Sequence, residues 1–168
     1  MRTIKGFVTF AGLILALAVC ANAQVNLTSI DGSRVNVEGQ RGKVVVLAVG
    51  ASWLPLSGKQ ADFTNVLAKK YAGRDVVVYF VATDSSLAKS KNFASDEDIR
   101  KFAFTNRLNI PVLRDPDGAS TLKRFNIDQM PSFVILDKSG VAVGEPFGGI
   151  DPKYDITVPI SRAIDRLL

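Results

Sequence analysis

The feature that most constrains the fold of this chain is a set of three short segments that are apolar at nearly every position. They are residues 43–49 (KVVVLAV), 76–82 (VVVYFVA) and 133–136 (FVIL). A strand with one solvent-exposed face alternates apolar and polar residues. A run that is apolar throughout is typical of a strand that is covered on both faces. The three segments therefore predict a central β-sheet with helices on each side, which is an α/β fold.

Helical patterns lie between and after these strands. Residues 63–71 place apolar side chains at i, i+3, i+4 and i+8, and residues 160–168 repeat this spacing. Ser95 is followed by three acidic residues, as expected for an N-cap at the positive end of a helix dipole. Residues 119–125 (ASTLKRF) predict a further short helix before Asn126.

The predicted domain begins with a hairpin. Residues 25–37 (VNLTSIDGSRVNV) contain two short alternating runs on either side of Asp31-Gly32. An Asp-Gly pair between such runs is typical of a β-hairpin turn. No repeat or long linker follows, so we expect one domain over residues 24–168.

The first 23 residues have the layout of a secretory signal peptide. Arg2 and Lys5 form a short basic region, residues 6–20 carry no charge, and Ala21-Asn22-Ala23 supplies small residues at the first and third positions. This order is typical of segments that are cleaved on export. We expect cleavage after Ala23 and a periplasmic or secreted protein.

Two alternatives to this cleavage stay open. The uncharged segment could be retained as a membrane anchor, although its 15 residues are short for a span of about 20. Cys20 could be the acylated residue of a lipoprotein, although Val19 stands where such sites carry Gly, Ala or Ser. Loss of residues 1–23 would lower the net charge from +5 to +3, and the scattered basic residues do not predict a nucleic-acid partner.

The counts of histidine and cysteine exclude several kinds of active site. The chain has no histidine, so it has no Ser-His-Asp triad, no Cys-His pair and no imidazole metal site. Its one cysteine, Cys20, cannot form an internal disulfide or a Cys-x-x-Cys pair. We expect no cofactor and no metal.

The segment from residue 42 to residue 71 carries the most informative pattern. It reads GKVVVLAVGASWLPLSGKQADFTNVLAKKY, a buried strand followed by Ala-Ser-Trp-Leu-Pro-Leu-Ser and an amphipathic helix. It resembles the active-site region of thioredoxin-like proteins, particularly the extracytoplasmic TlpA/ResA-type (AhpC/TSA-related) thiol-disulfide oxidoreductases. In that family the strand leads into Ala-Ser/Thr-Trp-Cys-x-x-Cys at a helix N-terminus. Residues 109–118 (NIPVLRDPDG) and 130–140 (MPSFVILDKSG) resemble two further family segments, the second being its cis-proline strand.

The resemblance implies a thioredoxin fold, a central mixed β-sheet flanked by helices, with an N-terminal β-hairpin extension and a central insertion. It also implies a cis bond between Met130 and Pro131. Both family cysteines are replaced, because Leu54 stands at the nucleophilic position and Ser57 at the resolving position. A family carboxylate position holds Gln60. Disulfide exchange needs an attacking thiolate and a second thiol, so we expect this degenerate site to be redox-inactive.

What the resemblance leaves is a binding surface. In thioredoxin-fold relatives the backbone of the residue before the cis-proline pairs with an extended segment of the partner, as a strand is added at a sheet edge. Met130 would supply that backbone beside Pro131, and Trp53, Leu54 and Pro55, with Leu56, would form an apolar lip. In the alternative interpretation Pro55 and Leu56 only begin the helix and Trp53 packs into the core.

Three functions follow from these expectations. The leading one is non-catalytic binding of a protein or extended peptide whose identity the sequence does not reveal. The second is the family's oxidoreductase or antioxidant activity with thiols supplied by a partner, and the third is a passive structural domain. A Ser57–Lys59 nucleophile is disfavoured because residues at i and i+2 of a helix do not face each other. We therefore expect Ser57 to be a surface or capping hydroxyl.

Overall fold

The computed structural model describes residues 24–168, so the expected signal peptide and Cys20 lie outside the described residues. The described part forms seven strands and three α-helices: β1 (Asn26–Ser29), β2 (Arg34–Asn36), β3 (Val44–Gly50), α1 (Ser57–Lys70), β4 (Val76–Ala82), α2 (Asp96–Thr105), β5 (Val112–Arg114), β6 (Ser132–Leu136), β7 (Phe147–Gly148) and α3 (Thr157–Asp165). None of the helices described is long and apolar enough to span a bilayer.

The strands form one mixed sheet in the order β2-β1-β5-β4-β3-β6-β7. Strand β3 pairs in parallel with β4 and antiparallel with β6, and β4 pairs in parallel with β5. The predicted Asp31-Gly32 hairpin is present as the antiparallel pair β1–β2, which joins the sheet through β5. The predicted fold class is confirmed, with the segment that contains α2 inserted between β4 and β5.

The central strands divide the core into two layers because successive side chains of a strand point to opposite faces. Val44, Val46 and Ala48 of β3 face a cluster that contains residues of all three α-helices. Val45, Leu47 and Val49 face a second cluster. The apolar composition of β3 at every position is therefore explained by burial on both sides.

The second face of the sheet is covered differently from the expectation of helices on each side. Its cluster contains Val25, Leu27 and Val37 of the N-terminal hairpin region and Phe125 of the segment after β5. The short helix predicted over residues 119–125 is wrong, since this segment forms successive turns. The turns follow a 3₁₀ segment, Pro116–Gly118, and end at Asn126 with φ of +53°, a left-handed conformation that does not continue a helix.

The starts of the helices agree more closely with what the sequence predicts. Ser95 caps α2 in a reciprocal capping box, in which its hydroxyl accepts from the Asp98 N–H and the Asp98 carboxylate accepts from the Ser95 N–H. Helix α1 begins at Ser57 with Leu56 at its N-cap position. Helix α3 ends at Asp165, so the last apolar residues of the predicted pattern, Leu167 and Leu168, lie beyond it.

Candidate functional site

The connection between β3 and α1 is a compact turn at the carboxyl end of β3. The Leu54 N–H donates to the Ala51 carbonyl at 3.2 Å, and the Ser57 N–H donates to the Leu54 carbonyl at 3.1 Å. Trp53 is 49% exposed, Pro55 is exposed and Leu54 is half-buried. Trp53 therefore does not pack into the core, and Pro55 precedes the helix instead of beginning it.

Two residues that directly follow β4 hold this turn in place. Both oxygens of the buried Asp84 carboxylate accept from the Ser52 N–H at 3.0 Å, and one of them also accepts from the Ser52 hydroxyl at 2.5 Å. The Thr83 hydroxyl donates to the Gly50 carbonyl at 2.9 Å. The loop that carries Trp53 and Leu54 is thus fixed by hydrogen bonds before any partner arrives.

The Met130–Pro131 segment lies beside this loop. Its peptide bond is cis, the geometry that the resemblance implies. The Thr83 hydroxyl, which binds Gly50, is also 3.7 Å from the Met130 sulfur, and Ser132 pairs with Val49 where β6 begins. Both halves of the expected surface therefore meet at the carboxyl ends of β3 and β4.

The backbone of Met130 is free to pair. Within residues 24–168 neither its N–H nor its C=O takes part in a turn or loop hydrogen bond, and the β6 ladders begin after it, at Ser132. The Met130 side chain is half-buried and packs against the second core cluster. An unpaired backbone segment at the start of a strand, next to exposed apolar side chains, is a surface that an extended segment can join.

Ser57, which the resemblance aligns with the resolving cysteine, has a structural role. Ser57 is 1% exposed, and its hydroxyl donates to the Ala51 carbonyl. The expectation of a surface or capping hydroxyl is therefore wrong, because the sharp turn through Leu54 folds the chain back so that Ser57 lies under it. A buried serine oxygen that donates to a carbonyl cannot take over the redox role of a thiol.

The position of the family carboxylate is equally buried. Gln60 is 0% exposed, and its Nε2 donates at 3.0 Å to the carbonyls of both Val49 and Ser132. The side-chain amide therefore joins the end of β3 to the start of β6 directly behind Pro131. Its Oε1 and the Ser132 hydroxyl have no hydrogen-bond partner among the described residues.

Charged groups border the site at the start of α1. The pKa of Asp155, in the loop before α3, lies below its ordinary value, chiefly because the Thr157 hydroxyl and N–H donate to the carboxylate. The positive charge of Lys59 lowers it further, so Lys59 lies near this loop. The Lys59 ammonium also lies 4.8 Å from the centre of the Phe63 ring. Lys59 therefore does not act as a base for the Ser57 hydroxyl.

The sequence alone does not single out Thr83 and Asp84 as residues of the site. A signal was present, because they directly follow a predicted buried strand, and the carboxyl ends of parallel strands meet at one edge of a sheet. Their partners, Gly50 and Ser52, occupy the same place after the neighbouring strand. Among residues 24–168 no three acidic, cysteine or histidine side chains are arranged to hold a metal ion.

Comparison with known proteins agrees with this geometry. A family model described as Redoxin matches residues 19–152. This chain belongs to the Redoxin family. Its resemblance to TlpA/ResA-type thioredoxin-like proteins is confirmed by the relatives that it matches.

Two curated relatives come from Bacillus. The thioredoxin-like protein YneN of Bacillus subtilis is 28% identical over 116 residues, which is 69% of this chain and 63% of that protein. The thiol-disulfide oxidoreductase ResA of Bacillus thuringiensis is 24% identical over 119 residues, 71% of this chain and 63% of that protein. This Redoxin-family chain therefore matches less than two thirds of the length of these relatives.

Among solved structures, the exposed lipoprotein thioredoxin Etrx1 of Streptococcus pneumoniae superimposes with a TM-score of 0.68. It is 27% identical, and the superposition covers 86% of this chain and all of that one. The thioredoxin fold of this Redoxin-family protein is thereby shown.

Proposed function

We propose that this chain is a redox-inactive Redoxin-family protein, exported to the periplasm or secreted, that binds an extended segment of a protein partner. The binding groove consists of Trp53, Leu54, Pro55, Met130 and Pro131. One observation carries the proposal: an unpaired backbone at Met130 lies beside a preformed, exposed apolar loop whose catalytic positions hold no thiol.

The groove suits a peptide in extended conformation. The Met130 N–H and C=O can each form one hydrogen bond with an added strand, and this pairing does not depend on the sequence of the partner. Trp53 and Leu54 add apolar area, which stabilises a complex by about 25 cal/mol per Å² removed from water. Since Asp84 and Thr83 already fix the loop, little ordering entropy is lost on binding.

Redox inactivity follows from the side chains present. Leu54 has no group that can ionise or attack sulfur, Ser57 is committed to the Ala51 carbonyl, and residues 24–168 contain no cysteine. Export is supported by the layout of residues 1–23 and by the similarity to Etrx1, an exposed lipoprotein. Processing at Ala23 predicts an intact mass that corresponds to residues 24–168, without a lipid on Cys20.

A second function, thiol-disulfide oxidoreductase activity with thiols from a partner, is favoured by the description of ResA as a thiol-disulfide oxidoreductase. It predicts turnover of a protein disulfide by the exported chain together with its partner. Our proposal predicts no turnover above a boiled control, with dithiothreitol or peroxide present, for the chain alone or for the complex.

Site-specific photo-crosslinking tests the groove. A photoreactive amino acid at position 54, introduced into the exported protein, should give one dominant adduct with a partner protein. The matched control places the same group at Phe104, which is 86% exposed on α2.

The Trp53→Ala substitution should abolish the adduct at position 54, whereas Phe104→Ala should leave it unchanged. Equal adducts from positions 54 and 104, or an adduct that survives Trp53→Ala in full, would contradict binding through the groove.

A further inference from the structure

A cavity of about 460 Å³ lies at the end of the sheet opposite the groove, between α1 and the connection from α2 to β5. Its lining residues are Asn65, Ala68, Lys69, Arg107, Asn109 and Ile110. A second cavity of about 210 Å³ shares Ala68, Asn109 and Ile110 with it and extends along the start of β4 to Tyr71. The two hollows adjoin each other on the surface and are open to solvent, and we call them together the α1–β5 channel.

The two ends of the α1–β5 channel differ in chemistry. Lys69 and Arg107 stand at the first end. Neither has a carboxylate within 4.0 Å among residues 24–168, because the ion pairs of this part of the chain involve other basic residues. The second end is lined by the apolar side chains at the start of β4 and by Pro111. The mouth, where two exposed cations stand, therefore opens onto a hollow whose surface is mostly apolar.

The walls of the mouth are tied together. The Asn65 side chain on α1 donates at 3.0 Å to the carbonyl of Asn106, the C-cap residue of α2. After Asn106 the chain closes α2 in a Schellman motif, with the Leu108 N–H donating to the Ala103 carbonyl at 2.9 Å and the Arg107 N–H donating to the Phe104 carbonyl at 3.0 Å. The cavity is thus preformed.

Arg107 occupies the one position of this motif that disfavours a side chain. Its φ is +53°, in the left-handed region where glycine is the usual residue because it lacks a Cβ. The exposed Arg107 therefore stands at the mouth in a backbone conformation that an arginine adopts only at a conformational cost. Packing of α2 does not require this charge.

We propose that the α1–β5 channel binds a small amphiphilic anion, a carboxylate or phosphate joined to an apolar chain. The Arg107 guanidinium can donate two parallel hydrogen bonds to either headgroup, and the Lys69 ammonium adds a second positive charge. The apolar chain lies along Ile110 towards Tyr71. The larger cavity falls within the range of about 300–1,000 Å³ that small-molecule sites occupy.

Decanoate is the probe that tests this site. Decyl phosphate offers the second headgroup on the same chain, and decanol is the uncharged control of the same chain length. Titration followed by backbone NMR should show saturable binding of decanoate or decyl phosphate, with shifts at residues 65–69 and 107–111. Decanol should bind at least tenfold more weakly. The phosphate and carboxylate arms decide which headgroup is preferred.

The Arg107→Gly variant separates binding from folding. It should lose at least tenfold in decanoate affinity while its melting temperature stays the same or rises, because glycine relieves the left-handed strain. Lys101→Ala, which removes an exposed charge from the same helix, and Trp53→Ala, which alters the groove, should each leave decanoate binding unchanged.

Any of the following results with the free probes would overturn the proposal: no saturable decanoate or decyl phosphate binding below about 1 mM, equal affinity for decanol, or unchanged affinity in Arg107→Gly. Binding to vesicles of anionic phospholipid without any binding of the free probes would also overturn it, since the two cations would then serve a membrane surface. Trp53→Ala alters only the groove, whereas the decanoate titration concerns the α1–β5 channel. Failure of the peptide-binding proposal would therefore leave the decanoate test unaffected.

Discussion

At the scale of single residues, Gln60 shows how the site is held together without sulfur. One side-chain nitrogen donates to carbonyls of two strands, Val49 at the end of β3 and Ser132 at the start of β6. A buried carbonyl left without a donor costs about 1–3 kcal/mol. The Gln60 amide therefore joins the end of β3 to the start of β6, and a carboxylate, which has no N–H, would not make these two bonds.

The Gln60→Glu substitution should destabilise the protein in a pH-dependent way. An ionised glutamate has no donor for the two carbonyls, so unfolding free energy should fall by about 3 kcal/mol or more at pH 7. The folded pKa of this buried carboxyl would be raised above its unfolded value of about 4.3. The penalty should therefore grow as pH rises through about 4.3 and be smaller at pH 4.

Urea unfolding of Gln60→Glu at several pH values measures this dependence. Gln60→Met, which has neither donor nor charge, should show a deficit that does not vary with pH. A deficit in Gln60→Glu that is equal at pH 4 and pH 7 would contradict the assigned hydrogen bonds.

The Leu54→Cys/Ser57→Cys double variant should form an internal disulfide. The Ser57 N–H donates to the Leu54 carbonyl at 3.1 Å, so a turn brings these two positions together where α1 begins. The first and last Cα atoms of such a turn lie less than about 7 Å apart, and a disulfide spans Cα atoms about 4.4–6.8 Å apart. Thiol counting after oxidation should show both free thiols lost in a monomer.

The single Leu54→Cys variant is the control for this experiment and should retain one free thiol. If the two thiols of the double variant stay free, or form disulfides only between chains, residues 54 and 57 do not correspond to the family cysteines.

At the scale of elements, helix α2 is stabilised by hydrogen bonds at both of its ends. The Ser95–Asp98 capping box satisfies N–H groups that the first turn leaves without partners, and the Schellman motif closes the last turn at Arg107. The pKa of Asp98 lies below its ordinary value, chiefly because the Ser95 hydroxyl donates to the carboxylate and next because the Ser95 N–H does. The charged form therefore favours the folded state.

Loss of this charge should weaken the protein in acid. Since the folded pKa of Asp98 is lowered, its contribution is complete above the unfolded value of about 3.9 and is lost as pH falls from there through the folded value. The Asp98→Asn variant should lose less stability than the parent between about pH 5 and pH 2. Thermal unfolding across this range measures the difference, and Asp62→Asn, at an exposed carboxylate of α1, should follow the parent curve.

At the scale of the whole molecule, Glu38 connects the N-terminal hairpin with a segment that is far away in sequence. Its carboxylate accepts from the Val25 N–H at 2.6 Å and from Arg124 at 2.6 and 2.9 Å, and its side chain is 6% exposed. The N-terminal hairpin is thereby joined to the turns over residues 119–126. These two parts together cover the face of the sheet that has no helix.

The Glu38→Ala substitution should lower the free energy of unfolding by about 2–4 kcal/mol, because it leaves the Val25 N–H buried without a partner and frees Arg124. Hydrogen exchange of β1 and β2 should accelerate more than that of β3. The exposed Glu145→Ala control should stay within about 0.5 kcal/mol of the parent. An unchanged hairpin in Glu38→Ala would show that apolar packing alone holds it.

Local patterns in the sequence determined much of this architecture. The buried strands at 44–50 and 76–82, the Ser95 cap and the Asp31-Gly32 hairpin depend on neighbours within a few residues, so side-chain periodicity and turn chemistry predict them. The correspondence of Leu54 and Ser57 to the family cysteines stays a prediction, which rests on alignment with Trp53 and which the double cysteine variant tests.

The tertiary structure decided what depends on contacts between distant segments. Residues 119–125 have a helical composition, yet they are confined between Asp115, which accepts from the N–H groups of Ser120 and Thr121, and Asn126 with its left-handed φ, and they form only successive turns. The burial of Ser57, the two bonds of Gln60 and the support of the groove by Asp84 likewise join residues that no local pattern relates. Burial and hydrogen-bond pairing are set by which surfaces the sheet brings together, and side-chain periodicity along one segment carries no information about its partner.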